Sequence, residues 1–324
     1  MNTEPRLSSS RVPQPLHFPR ITVGLALIAV YVIWGSTYLA VHIALESFPP
    51  FLMSGIRFLL AGGLLYLILR LRGIPAPTPR QWAWAIVIGG LLLGACQGGV
   101  AFAQQWVPSS FAAIGIATIP LWTALFLGIW SQWPQRQEWF GLLIGLAGVI
   151  LLNVDGTFRA HPLGAILVLL AAASWAFGSA WKRHLSLPTG LMTNAAEMIA
   201  GGTLLLLFHL FVNKQGLGPL TLSSMGAVLY LAIFGGIIVY SAYMYLLHHV
   251  SSTLATSYAY VNPVVAVGLG FGLGGEHLGI VALLALVVIL VGAGCILLRQ
   301  KPQNEGRNFH LHTLVSKLAF SEPE

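Results

Sequence analysis

The chain has 324 residues, 56% of them hydrophobic and only 8% charged, where soluble domains carry about 25% charged residues. No water-soluble fold hides that much apolar surface, so the lipid bilayer is the first partner implied. The formal charge of +7 invites a nucleic-acid partner, but the placement of the charges along the chain rejects one.

In chain order, a polar stretch with Pro5, Pro13, Pro15 and Pro19 comes first, over 1–20. It has no small-residue cleavage site after an apolar run and reads as a cytoplasmic tail rather than a signal peptide. Apolar segments of about 20 residues, the length that a ~30 Å hydrocarbon core requires, follow at 21–45, 51–69, 82–106, 109–130 and 138–153. A join at 155–161 with turn-type residues leads to five more, at 162–181, 189–212, 222–247, 252–273 and 277–298. In the final stretch, 299–324, Leu311, Leu314, Val315 and Leu318 recur at helical spacing. That tail either lies as a short helix on the inner leaflet or stays disordered, since isolated short helices are marginal. The expected fold is an all-α polytopic membrane protein with ten transmembrane helices.

Of the 16 Lys and Arg residues, thirteen fall on one side of this ten-span scheme, Arg159 and Lys214 fall on the other, and Arg57 lies within a span. That asymmetry is the positive-inside pattern, and it places both termini in the cytoplasm of a multi-pass cytoplasmic-membrane protein. The basicity is therefore an orientation signal.

The two sets of five segments repeat one another. Val107-Pro-Ser-Ser-Phe-Ala112, leading to Pro120, corresponds to Val250-Ser-Ser-Thr-Leu-Ala255, leading to Pro263, with 143 positions between equivalents. Gly35-Ser36 is echoed by Gly178-Ser179, and Ala61-Gly-Gly63 by Ala200-Gly-Gly202. Five crossings deliver the second copy to the opposite face, so the repeats, 21–154 and 162–298, are expected to be inverted. Inverted repeats are how many secondary transporters build two gates around one central site.

Several short motifs point the same way: Trp34-Gly-Ser-Thr-Tyr38, Pro49-Pro50, Gly55-Ile-Arg57-Phe58, Ala255-Thr-Ser-Tyr-Ala-Tyr-Val-Asn-Pro263 and Gly274-Gly-Glu276. Together, in this order, they resemble EamA-type members of the drug/metabolite transporter superfamily. The resemblance spans 21–298 and implies a ten-helix exporter of small metabolites or amphipathic compounds. Members of the superfamily move amino acids, nucleotide sugars, drugs and other cargo, so the resemblance names no substrate.

Arg57 is the sharpest anomaly. It lies about seven residues past the outer edge of the second span, roughly 10 Å deep at a 1.5 Å rise per residue. A charge at that depth is costly unless it faces the bundle interior. Glu197 is its near-equivalent in the second repeat. The two either pair across the pseudo-twofold axis or each hold a different conformational state; a structural ion pair or a locally hydrated charge is the plain alternative. Trp34, Tyr38, Gln97, Trp175, Asn194, Tyr243, Tyr258, Tyr260 and Asn262 form an aromatic and amide set suited to an amphipathic solute. Membrane-interface anchoring is the alternative for single aromatics and is the reading for Trp106, Trp130, Trp133 and Trp139. Pro120 and Pro263 remove backbone hydrogen bonds at equivalent places. They either open cavity-lining carbonyls or merely kink the helices.

Cys96 and Cys295 read as buried small hydrophobes, and His248-His249 has no further ligand at metal spacing. No metal or cofactor is expected. The chain has no phosphate-cradling G-x-x-x-x-G-K-[ST] and no H-E-x-x-H, which argues against an ATP-driven pump acting alone and against an intramembrane metalloenzyme. A secondary transporter of a small-molecule substrate leads, with a channel or facilitative pore as the alternative. A monomer would suffice, and a homo-oligomer stays open.

Overall fold

The computed structural model describes residues 20–131, 133, 136–154, 161–182, 184–212, 216–249, 258–273 and 279–297. Most of both tails, Glu276, the 252–257 start of the ninth predicted segment and the side chain of Tyr260 lie outside the described residues. Helix α1 runs Arg20–Leu45, α2 Pro50–Leu71, α3 Pro79–Ala103, α4 Ser109–Trp130 and α5 Arg136–Val154. Helix α6 runs Pro162–Lys182, α7 Leu191–Val212, α8 222–249, α9 Tyr258–Leu273 and α10 Ile280–Leu297. No strand occurs among the described residues. Seven of the helices, α1–α4 and α6–α8, are long and apolar enough to cross a membrane. Their outer faces are apolar too: Leu60, Leu64 and Leu67 of α2 and Leu207, Leu210 and Phe211 of α7 are exposed, as lipid-facing side chains are.

The third and eighth helices start and deform alike. Thr78 caps α3 in a reciprocal capping box with Gln81, and Thr221 caps α8 in the same way with Ser224. Each box satisfies backbone donors that the first turn leaves free. Both helices then widen into a π-helical stretch, Gly90–Gly98 in α3 and Ile233–Ile238 in α8. Such stretches release carbonyls from the regular ladder. Ser174 of α6 donates to one of the carbonyls in α3, that of Leu91, at 2.9 Å.

Where no water drives association, small residues let helix backbones touch. Helices α2 and α7 pack antiparallel along such a seam. A Cβ on Gly55 would lie 3.1 Å from the Gly202 carbonyl oxygen, and one on Gly202 would lie 3.1 Å from that of Gly55. Further along, Gly62 abuts Met198 and Ala195. Helices α5 and α10 form a second antiparallel seam, where a Cβ on Gly292 would meet the Gly145 nitrogen at 2.5 Å.

The two prolines behave differently. Helix α4 is broken at Ala117–Thr118, and Pro120 opens its second piece, Ile119–Leu127. The Thr118 hydroxyl donates to the Gly115 carbonyl at 2.7 Å and closes the break. Pro263 instead sits inside the unbroken α9. The expected matching break is therefore present only in α4 among the described residues. A proline near the start of a helical piece loses little, because the donors there have no partner within the helix.

Candidate functional site

The middle of the bundle is organised around Trp34 of α1, which is 7% exposed. Its ring centroid lies 4.5 Å from Tyr258 of α9 and 6.2 Å from Trp175 of α6. Tyr240 and Tyr243 of α8 approach it at 5.4 and 5.3 Å. Edge-on and tilted pairs of this kind each add about 0.5–1.5 kcal/mol beyond their burial. The Thr37 hydroxyl donates to the Trp34 carbonyl at 2.6 Å, so the cluster is tied down on the α1 side.

A cavity of about 40 Å³ adjoins this cluster. Trp34, Thr37, Tyr38 and Val41 line it from α1, and Cys96, Gln97 and Val100 from α3, with Gln104 just beyond the end of α3. Ile116 and Ile119 of α4, Trp175 of α6 and Tyr258 and Asn262 of α9 complete the lining. Along α1 the lining extends from Trp34 toward the Leu45 end, roughly 10 Å at 1.5 Å per residue. The volume suits water or one functional group; a whole metabolite needs the walls to part.

Six of the nine residues expected to form an aromatic and amide set therefore meet at one cavity: Trp34, Tyr38, Gln97, Trp175, Tyr258 and Asn262. Tyr243 reaches it through ring contacts with Trp34 and Tyr258. Asn194 does not line it; it is buried on α7, and its Nδ2 has no hydrogen-bond partner among the described residues. Asn262, with its amide nitrogen turned inward, donates to the carbonyls of Tyr258 and Tyr31 at 3.1 Å each and so ties α9 to α1. The two helices are already close there, since a Cβ on Gly35 would lie 2.6 Å from that of Val265.

The two buried charges are not joined. Arg57 Nη2 donates to Gln97 Oε1 at 3.2 Å, and its guanidinium lies 4.4 Å from the Phe58 ring centroid. Glu197 Oε2 instead accepts from Lys182 Nζ at 2.8 Å. Of the readings open for the two charges, a pair between them is not formed in this arrangement, and Glu197 has a plain ion pair with Lys182 instead. Helix α7 presses the Glu197 backbone against Gly89 of α3, and its side chain reaches the end of α6. Arg57 faces the cavity wall through Gln97. Lys182, one of the thirteen basic residues on the side assigned to the cytoplasm, closes α6 a short loop before α7 begins.

Gln104 was not anticipated either, because it falls at the edge of a predicted span, where a polar residue is ordinary. It is 4% exposed, and neither its Oε1 nor its Nε2 has a partner among the described residues. Tyr240 completes the aromatic cluster. The described residues hold no group of three or more His, Cys, Asp or Glu side chains placed to ligate a metal. Cys96 is buried and unbridged at the cavity wall.

The profile of the EamA-like transporter family matches the chain twice, over residues 21–154 and 162–298. The inner membrane transporter YedA of Escherichia coli K12 is 48% identical over 283 residues, which cover 86% of this chain and 92% of YedA. The transporter YoaV of Bacillus subtilis is 23% identical, covering 84% of this chain and 95% of YoaV. A WAT1-related chloroplastic protein of Arabidopsis thaliana is 28% identical, covering 82% of this chain and 67% of that protein. A crystal structure with a TM-score of 0.63 and 22% identity covers 88% of this chain and 99% of its own, and shows the same fold. YedA and YoaV are named as transporters, not as enzymes.

Proposed function

The chain belongs to the EamA-like transporter family, and from that premise we propose that it is a secondary transporter exporting small amphipathic metabolites across the cytoplasmic membrane. Amino-acid-like compounds rank ahead of hydrophobic drugs as cargo. The observation that supports this reading best is the cavity at Trp34, lined from both family-matched segments by rings, amides and hydroxyls. Among the described residues no charged side chain lines it, and Arg57 stands behind its wall, behind the Gln97 amide. A polyanion such as a nucleotide sugar would call for several buried cations.

The chain crosses the membrane ten times as two inverted five-helix repeats, 21–154 and 162–298, with both termini in the cytoplasm. Supporting this are the equal spacing of Thr78 and Thr221, 143 apart like Val107 and Val250, and the antiparallel seams between equivalent helices. Alternating access then consists of one repeat rocking on the other around the central cavity. In this orientation the aromatic cluster lies on the cytoplasmic side of the cavity, and Lys182–Glu197 pins α6 to α7 at the cytoplasmic end. A single copy of the chain suffices.

Counterflow in proteoliposomes tests the reading. Liposomes preloaded with individual amino acids and aromatic amines should accumulate labelled cargo transiently and saturably. Flux that rises linearly with concentration and shows no trans-stimulation would instead support a pore.

A further inference from the structure

We infer that Gln104 reads the polar end of the cargo and selects a group that both donates and accepts a hydrogen bond, such as a carboxamide. The assignment deepens the transporter reading above and rests on it. The cavity's other amides are committed: Gln97 Oε1 accepts from Arg57, and Asn262 ties two backbone carbonyls together. Gln104 is different, since it is 4% exposed, lines the cavity and has both amide atoms unpartnered among the described residues.

Keeping a buried donor and acceptor both unpaired is unfavourable. The arrangement is explained if the side chain is held ready for a solute. Gln104 lies seven residues beyond Gln97 along α3, roughly 10 Å. A solute whose apolar body packs against Trp34 and Tyr258 therefore presents its far end to Gln104. The cavity's volume of about 40 Å³ is the size of such an end group. An analogue that cannot donate leaves the Gln104 oxygen unpaired, and sites built around a hydrogen bond reject such analogues strongly.

The test uses the full chain in lipid nanodiscs, with tryptophan fluorescence reporting binding near Trp34 and Trp175. The probes are hydrocinnamamide and benzylacetone, isosteres that differ by an amide NH2 against a methyl group. Wild type should bind the amide at least ~10-fold tighter, because a buried polar group is left unpaired by the ketone. Gln104→Leu and Gln104→Met should bring the ratio near one while melting no lower than wild type. The assignment is overturned by a ratio near one in wild type, by an unchanged ratio in the variants or by no binding of either probe. Failure of both variants to fold would mark the residue as structural and overturn it as well. Absent counterflow with the amide preference intact would sink the transport reading alone.

Discussion

The two halves of the chain build their third helices by the same means and then equip them differently. Thr78 and Thr221 cap α3 and α8 with the same reciprocal box, and both helices widen into a π stretch. The shift of 143 residues that relates these caps puts Gln97 opposite Tyr240 and Val100 opposite Tyr243. The third helix of the first half thus supplies an amide backed by a cation, with Gln104 just beyond its end, and the third helix of the second half supplies rings. Backbone devices were kept in duplicate while side chains diverged, and the cavity is chemically two-ended although its scaffold repeats. A solute held in such a cavity would have a preferred orientation.

The sharpest way to break this comparison is at Trp34, whose counterpart at the same shift is Phe177. Trp34→Ala removes the ring that four others pack on and should cost about 3–5 kcal/mol of stability. Phe177 is half-buried against Phe126 and Trp181, and Phe177→Ala should cost about 1–2 kcal/mol, less than full burial of such a ring is worth. Thermal unfolding in detergent compares the two. Equal losses would show that the cluster has no single centre.

The charges offer the next contrast. Lys182→Met strands the Glu197 carboxylate, 4% exposed, but the Lys182 side chain is itself 24% exposed. The loss should therefore be about 2 kcal/mol, below the range for a fully buried pair. Adding Glu197→Leu should recover most of it, because the stranded carboxylate is then gone. Additive losses in the same melting assay would mean that the two residues do not couple.

The smallest expected effect tests the likeness rather than the difference. Thr78→Ala and Thr221→Ala should each cost about 1 kcal/mol. A cap that mattered in only one half would show that the duplicated start is a relic on the other side.

Much of this was legible in the sequence, and what was missed has identifiable causes. Span length and repeat spacing survive in one dimension, so the helices and the duplicated motifs could be located, whereas the duplicated caps at Thr78 and Thr221 emerged only from the structure. Trp34, Trp175, Tyr258 and Asn262 could be grouped because they are rings and amides within or near the inner ends of predicted spans. Azimuth around a helix could not be read. The sequence gives Arg57 its depth, but only the packing of α2 against α3 and α7 turns it toward Gln97 rather than Glu197. Gln104 was hidden by its place at a span end. The π stretches had a signal in the glycine pairs Gly89-Gly90 and Gly235-Gly236, which flank or fall within them, though paired glycines alone fit several backbone shapes. The unequal fates of Pro120 and Pro263 depend on where each falls in its helical piece, a boundary that periodicity does not fix.

The glycine seam between α2 and α7 also sets a timetable for assembly. Gly55 meets Gly202, and Gly62 meets Ala195, so α2 enters the bilayer more than a hundred residues before its partner is made. At about 5–20 residues per second, that leaves a newly inserted helix waiting on the order of ten seconds with its small-residue stripe uncovered. Helix α5 waits as long for α10. During that interval the ribosome holds a half-molecule whose binding faces fit another chain's second half as well as its own. Crowded synthesis would then yield exchanged dimers, and two halves made as separate polypeptides should find each other in the membrane.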